Sequence, residues 1–242
     1  WLAALLVVVA ASYAYRQSLW RYGTLAYRQG GKMLDVLYME PKKDWARLPL
    51  AGPCVFAHNR WAWHAKRTYG QSSVIKALQV SCLAVQKQHP DFRLGVQDIS
   101  LPQGGQMLGH LSHKTGRDVD IAFMGRDAKG QVQPHKPSWA SPSTMYRQNY
   151  NEKGRAGALK FDEELNWKFL MALRSNRARS VENVLVEPHL KQRLLKAGQR
   201  LKATAKELRW ARQVLRFAGK NAAVHEDHMH VRFGRRFLSD ML

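Results

Sequence analysis

The chain has 242 residues, enough for one large domain or two small ones. Its hydrophobic share of 45% is that of a packed globular core, which excludes a wholly disordered chain. Lys and Arg total 39 against 18 Asp and Glu, a net charge of +21, so the expected surroundings are anionic: nucleic acid, anionic lipid or a carboxylate-rich polymer.

Trp1 to Tyr15 carries no charge, and Trp1 to Ala11 is wholly apolar. A spanning helix needs about 20 apolar residues, so the stretch reads as the h-region of a signal peptide or as a clipped membrane anchor. Ser12-Tyr13-Ala14 offers a small-x-small cleavage site, while Arg16, Trp20, Arg21, Tyr22 and Arg28 suit a membrane interface. Export is expected, with cleavage and anchoring both open. Residues 16–66 read as an N-terminal extension, mostly loop, with a short strand at Met33 to Tyr38. Cys54 and Cys82 are the only cysteines, and a disulfide and two free core thiols are equally compatible with their placement.

Ser72 or Ser73 is expected to cap a helix reaching about Gln88, with Val74, Ile75, Leu78, Cys82 and Val85 on its apolar face. His89-Pro90 stops it. Phe92 to Ile99 reads as a strand. A Gly-rich loop, Pro102 to His110, follows; it lacks a Walker lysine and is not read as a nucleotide loop. Within Ser112 to Phe123 the strand part alternates, placing Val119, Ile121 and Phe123 on one face and Asp118 and Asp120 on the other, and His113 precedes it across a turn at Thr115-Gly116. Gly125 to Lys160 is rich in Pro, Gly, Ser and basic residues and reads as a long loop, either a wall of a groove or disordered. Asp162 caps a helix through about Ser175; Trp167 on it reads as core. Val181 to Val186 reads as a strand. Pro188 opens a helix to Gly198. Leu201 to Phe217 reads as one more helix, its outer face basic.

The last strand is His228-Met229-His230-Val231-Arg232-Phe233. Met229, Val231 and Phe233 share the core face, so His228, His230 and Arg232 project together from the other. A catalytic zinc site needs three N/O ligands and an open position, and His113, Asp120 and His230 meet that count. His228 is then left beside the metal, where a neutral imidazole can take a proton or stabilise charge on a substrate. A basic surface cluster is the plainer alternative. Half-exposed ligand strands between helices favour an α+β fold with an antiparallel sheet over a doubly wound one.

The strings GHLSHKTGRDVDI and HEDHMHVRF resemble the penicillin-insensitive murein endopeptidases, part of a wider zinc group with D-alanyl-D-alanine carboxypeptidases, lysostaphin-type peptidases and the hedgehog signalling domain. The group's His-x6-Asp and His-x-His signature falls here on His113 and Asp120, and on His228 and His230. The resemblance covers 67–233, leaving 234–242 as a tail, and implies a central antiparallel sheet flanked by helices, with Trp167 set against a substrate groove. It implies zinc on His113, Asp120 and His230, with His228 catalytic and His110 and His225 close by. Arg67-Thr68-Tyr69-Gly70 resembles a family element, but Gln71 stands where the family commonly has His. Arg67 is expected either to bind a substrate carboxylate or to pack at the start of the helix. The implied reaction is hydrolysis of the D-alanyl–meso-diaminopimelyl cross-link of peptidoglycan in the periplasm, with no nucleic-acid partner; the oligomeric state is left open. The alternatives are a zinc-binding envelope protein without turnover and a basic anion-binding protein.

Overall fold

The computed structural model describes residues 39–107, 110–134, 136, 149–219 and 224–235. The leader, the strand expected at Met33 to Tyr38 and most of the tail lie outside the described residues. No helix among the described residues is long and apolar enough to cross a membrane.

Seventeen elements follow one another: β1 (Trp45–Arg47), β2 (Val55–Ala57), α1 (Arg60–His64), β3 (Tyr69–Gln71), α2 (Ser72–Gln86), β4 (Leu94–Val96), β5 (Asp118–Ala122), β6 (Gly125–Arg126), β7 (Val132–Gln133), β8 (Arg155–Ala156), β9 (Leu159–Phe161), α3 (Glu163–Arg174), β10 (Val181–Leu185), α4 (Pro188–Arg200), α5 (Ala205–Val214), β11 (Leu215–Arg216) and β12 (His228–Phe233), among the described residues. The fold is α+β. Its main sheet has six strands in the order β11-β10-β12-β5-β4-β2. The inner pairs β10–β12, β12–β5 and β5–β4 are antiparallel, as expected, while the outermost pairs β10–β11 and β2–β4 are parallel.

One core joins the sheet to the helices. Val119, Ile121, Phe123, Met229, Val231 and Phe233 are buried with Val74, Leu78 and Val85 of α2, Phe169, Leu170 and Leu173 of α3, and Leu190 and Leu194 of α4. Trp167 belongs to this core rather than to a groove: its indole lies so close to Gly198 that a Cβ there would sit 2.5 Å from the ring. Asp162 caps α3, its Oδ1 accepting from the Leu165 amide at 3.0 Å. At α2 the expected serine cap is replaced. Gln71 occupies the N-cap without a side-chain capping bond, and Ser72 Oγ instead donates to the Asp44 carbonyl, tying the helix to the segment before β1. A disulfide joins Cys54, just ahead of β2, to Cys82 of α2.

Three expectations are corrected. The compact unit begins at Glu40, not near 67. β1 pairs with β3 and β2 forms an edge of the main sheet, so residues 40–66 are part of the fold rather than an extension. Gly125 to Lys160 is not simply a loop, because its described parts supply β6, β7, β8 and most of β9, a four-stranded sheet of short pairings that carry no periodic signal. The helix expected from Leu201 starts at Ala205, because Thr204 and Glu207 form a reciprocal capping box and Lys202 takes a positive φ of 57°.

Candidate metal centre

β5 and β12 are neighbours, with His230 opposite Asp120, Arg232 opposite Asp118 and His228 opposite Ala122. Two alternating patterns therefore aim their polar side chains into one space. That space is not solvated, as a half-exposed strand would require. His113, Asp118, Asp120, His228 and His230 are all 5% exposed or less, because the segments bearing His110, His113 and His225 close over the polar face.

Three donor atoms meet at its centre. His113 Nε2 lies 3.2 Å from His230 Nδ1 and 3.2 Å from Asp120 Oδ1, and His230 Nδ1 lies 2.9 Å from Asp120 Oδ1. Ligands about 2.0–2.1 Å from a tetrahedral ion stand roughly 3.4 Å apart, so this near-equilateral triangle has the size of one face of such a shell. The outer nitrogens are committed elsewhere. His113 Nδ1–H donates to the Ile99 carbonyl at 2.9 Å, which leaves its Nε2 lone pair facing inward. His230 Nε2–H donates to Asp118 Oδ1 at 3.1 Å, and Arg232 Nε holds the same oxygen at 2.7 Å. Such outer partners fix the tautomer and raise ligand basicity.

The charge balance fits a divalent cation. With the histidines neutral, as metal ligands must be, Asp98, Asp118, Asp120 and Asp227 against Arg67 and Arg232 leave two negative charges in a buried space. Asp118 Oδ2 and Asp227 Oδ2 are buried without a hydrogen-bond partner. Buried carboxylates of this kind need a countercharge.

The other histidines surround the triangle. His228 Nδ1–H donates to Asp227 Oδ1 at 2.5 Å, which turns Nε2 towards Asp120 Oδ1 at 3.7 Å. His110 sits between two carboxylates: its Nε2 is 3.2 Å from Asp98 Oδ2 and its Nδ1 is 3.6 Å from Asp120 Oδ2. Ligand atoms of His110, His113 and Asp120 lie within 4.8 Å of one another, so this trio can also hold a metal ion. The His225 ring packs 5.0 Å from that of His228, and its backbone amide donates to Glu187 Oε1 at 3.0 Å. Arg67 is 9% exposed, and its guanidinium is paired within the protein. Its Nε and Nη2 each donate to Asp98 at 2.8 Å, in a bidentate pair. Asp98 and Asp227 were not singled out from the sequence. Asp227 stands inside the HEDH string, one residue before His228, while Asp98 lies in an irregular segment after β4 with no periodicity to mark it.

Burial pulls each ionisable group towards neutrality, and the neighbours decide the outcome. Burial raises the Asp120 carboxyl, but His113 and His228 outweigh it and hold it well below the usual range. Asp98 is likewise lowered by Arg67 and His110 against burial, and Asp118 by His230 and Arg232. Burial lowers His230, yet bonds to Asp118 and Asp120 carry it up to about 9. His228 is raised by Asp120 and Asp227 despite burial. The neutral imidazole expected there is thus biased towards its charged form.

The loop bearing His113 is braced from below. Gln71 Nε2 donates to the Thr115 carbonyl at 3.0 Å, and Gly116 turns with φ +64° where a Cβ would stand 2.9 Å from the Trp45 ring. The Gln at position 71 therefore supports the loop by a hydrogen bond from its side-chain amide.

No protein with a curated description matches the chain. The family model for penicillin-insensitive murein endopeptidases matches residues 45–235, from β1 to just past β12, and takes in every residue of the cluster. A match over that share of the sequence, with the cluster inside it, makes the chain a member of the penicillin-insensitive murein endopeptidase family.

Proposed function

We propose that this protein is a zinc endopeptidase of the periplasm that hydrolyses the D-alanyl–meso-diaminopimelyl cross-links of peptidoglycan. The observation that carries the reading is the convergence of His113 Nε2, Asp120 Oδ1 and His230 Nδ1, with His228 alongside but bonded to Asp227 instead. Two imidazoles and one carboxylate suit zinc better than calcium or magnesium, which favour all-oxygen shells. A bound zinc ion supplies Lewis-acid polarisation of a carbonyl and a lowered pKa for an attacking water.

The chain's own groups do the rest. Asp227 keeps the proton on His228 Nδ1, so Nε2 is the atom that exchanges protons or donates to a developing oxyanion. With a cation held by His113, Asp120 and His230, the Asp120 charge would no longer bias His228 towards its charged form, and His228 would be able to accept as well as donate. Asp118 and the Ile99 carbonyl hold the two ligand rings still. The family's murein substrate carries free stem-peptide carboxylates, which the net charge of +21 attracts. Export through the Trp1 to Tyr15 stretch accounts for the Cys54–Cys82 disulfide, since such bonds persist in oxidising compartments.

The test is digestion of purified cross-linked peptidoglycan by the full chain and by His228→Ala, with zinc content measured for both and products read by mass spectrometry. Loss of cross-linked dimers with the parent, but not with a zinc-loaded variant, is the expected result. A zinc-loaded but inert parent points to a binding protein. A parent that holds no zinc refutes the site.

A further inference from the structure

A large aromatic side chain stands in water next to the cluster. Trp61, in the short helix α1, is 38% exposed, and its ring centre lies 6.0 Å from the Arg67 guanidinium carbon. That guanidinium bonds both Asp98 oxygens, and Asp98 Oδ2 lies 3.2 Å from His110 Nε2. Arg67 and Asp98 are thus the two side chains that link the indole to the metal-capable trio of His110, His113 and Asp120. Leu111, next in sequence to His110, is 88% exposed and adds a second apolar group beside the cluster.

A lone exposed aromatic is ordinary. This one is held on a rigid mount. A helix of five residues has little stability of its own, so tertiary bonds fix its position. Asn59 Oδ1 accepts from the amides of Trp61 at 2.8 Å and Ala62 at 3.2 Å, and Ala62 is fully buried. Trp63 Nε1 donates to the Leu48 carbonyl at 2.9 Å, and the Arg47 guanidinium stacks 3.5 Å from the Trp63 ring while donating to the Trp63 carbonyl. Trp63 anchors the helix inward. Trp61, two residues earlier, is presented on another face, which it shares with the exposed His64 three residues on.

Murein joins peptide stems to a polymer of amino sugars. A pyranose ring has flat C–H faces and a polar rim of hydroxyl and N-acetyl groups. The electron-rich face of an indole attracts such C–H faces, and its N–H is left for the rim. The stems, with small methyl groups and flexible aliphatic chains, offer no flat apolar face. We propose that Trp61 is a stacking platform for a sugar ring of the murein glycan strand, holding the strand along α1 beside the metal centre. This rests on the murein endopeptidase reading above.

Two soluble substrates decide: cross-linked dimers that keep short glycan chains, and the same dimers with the glycan removed. The full-length parent should cleave both, with KM about 10-fold lower for the glycan-bearing dimers, the gain expected from one anchoring aromatic. Trp61→Ala should erase that advantage by raising KM for the glycan-bearing dimers at constant kcat, the signature of lost binding. Trp61→Phe should keep most of it. If Trp61→Ala does not fold, Trp61→Leu, which keeps bulk without a ring, takes its place. Equal KM values for the two substrates in the parent overturn the proposal before any variant is made. A folded ring-less variant that keeps the parent's advantage, or that weakens both substrates alike, overturns it too. Failure of the underlying reading looks different: the parent cleaves neither substrate.

Discussion

The His230 ring bridges two carboxylates, and that arrangement sets a measurable proton count. Nδ1 faces Asp120 Oδ1 and Nε2 faces Asp118 Oδ1, so both nitrogens carry protons in the metal-free chain and the pKa rises to about 9. Relative to 6.5, the ordinary value, that is worth roughly 3 kcal/mol of preference for the charged ring. A cation on Nδ1 must displace that proton. Zinc affinity should therefore weaken at least about tenfold for each pH unit from roughly 8.5 down to 7, with one proton released from His230 and up to one more from His228. Competition against a chelator across that range, with calorimetry in two buffers of different ionisation enthalpy, measures both quantities. Asp118→Asn removes one of the two carboxylates. It should weaken zinc by about 10- to 100-fold and flatten the pH dependence towards the top of the range. Affinity that does not vary with pH while zinc still binds refutes the bridging account, and so does an Asp118→Asn variant indistinguishable from the parent.

The same shift has a consequence for metal-free stability. The folded pKa of His230 is raised, so its contribution is complete below pH 6.5 and lost as pH rises through about 9; melts of the zinc-free chain should weaken between those values, and zinc should abolish the trend. At the acid end, Asp98, Asp118 and Asp120 are lowered, so their stabilisation is present above pH 3.8 and disappears as pH falls further, which an acid titration by circular dichroism follows. Replacing both Cys54 and Cys82 by Ser opens a loop with a sequence separation of 28 residues and should cost about 3.5 kcal/mol in chemical denaturation. Gly116→Ala should cost about 1–3 kcal/mol and lower zinc affinity, because a Cβ there meets the Trp45 ring in a left-handed turn beneath His113; unaltered denaturation and zinc titrations rule this out.

The two strands that carry the cluster were the most legible part of the chain. Alternation in Val119-Asp120-Ile121 and in His228 to Phe233 assigns each side chain to a face, because a strand has a period of two whatever surrounds it. α2, α3 and α4 were legible for a similar reason, since each buries an apolar stripe of helical spacing. The elements that escaped notice are short. β1, β2 and β3 have three residues each and the strands of the second sheet two or three, too few to show a period; β1 and β2 exist because partners distant in sequence accept their backbone bonds.

Sequence by itself determined the chemistry available: the residue types, their order and the faces they share, from which His113, Asp120, His228 and His230 stand out. Tertiary structure alone decided how that chemistry is held. Closing loops turned an expected half-exposed face into a buried one, and burial makes every outer partner matter, because an unpaired charge is costly there. Asp98 and Asp227 became part of the site only through contacts made in space: Arg67 reaches across 31 residues to hold Asp98, and Asp227 sits at the turn that aims His228. Whether Cys54 and Cys82 pair, which way Trp167 points and which nitrogen of each histidine is left for a metal depend on distances between segments far apart in the chain, and one-dimensional order carries no record of those distances.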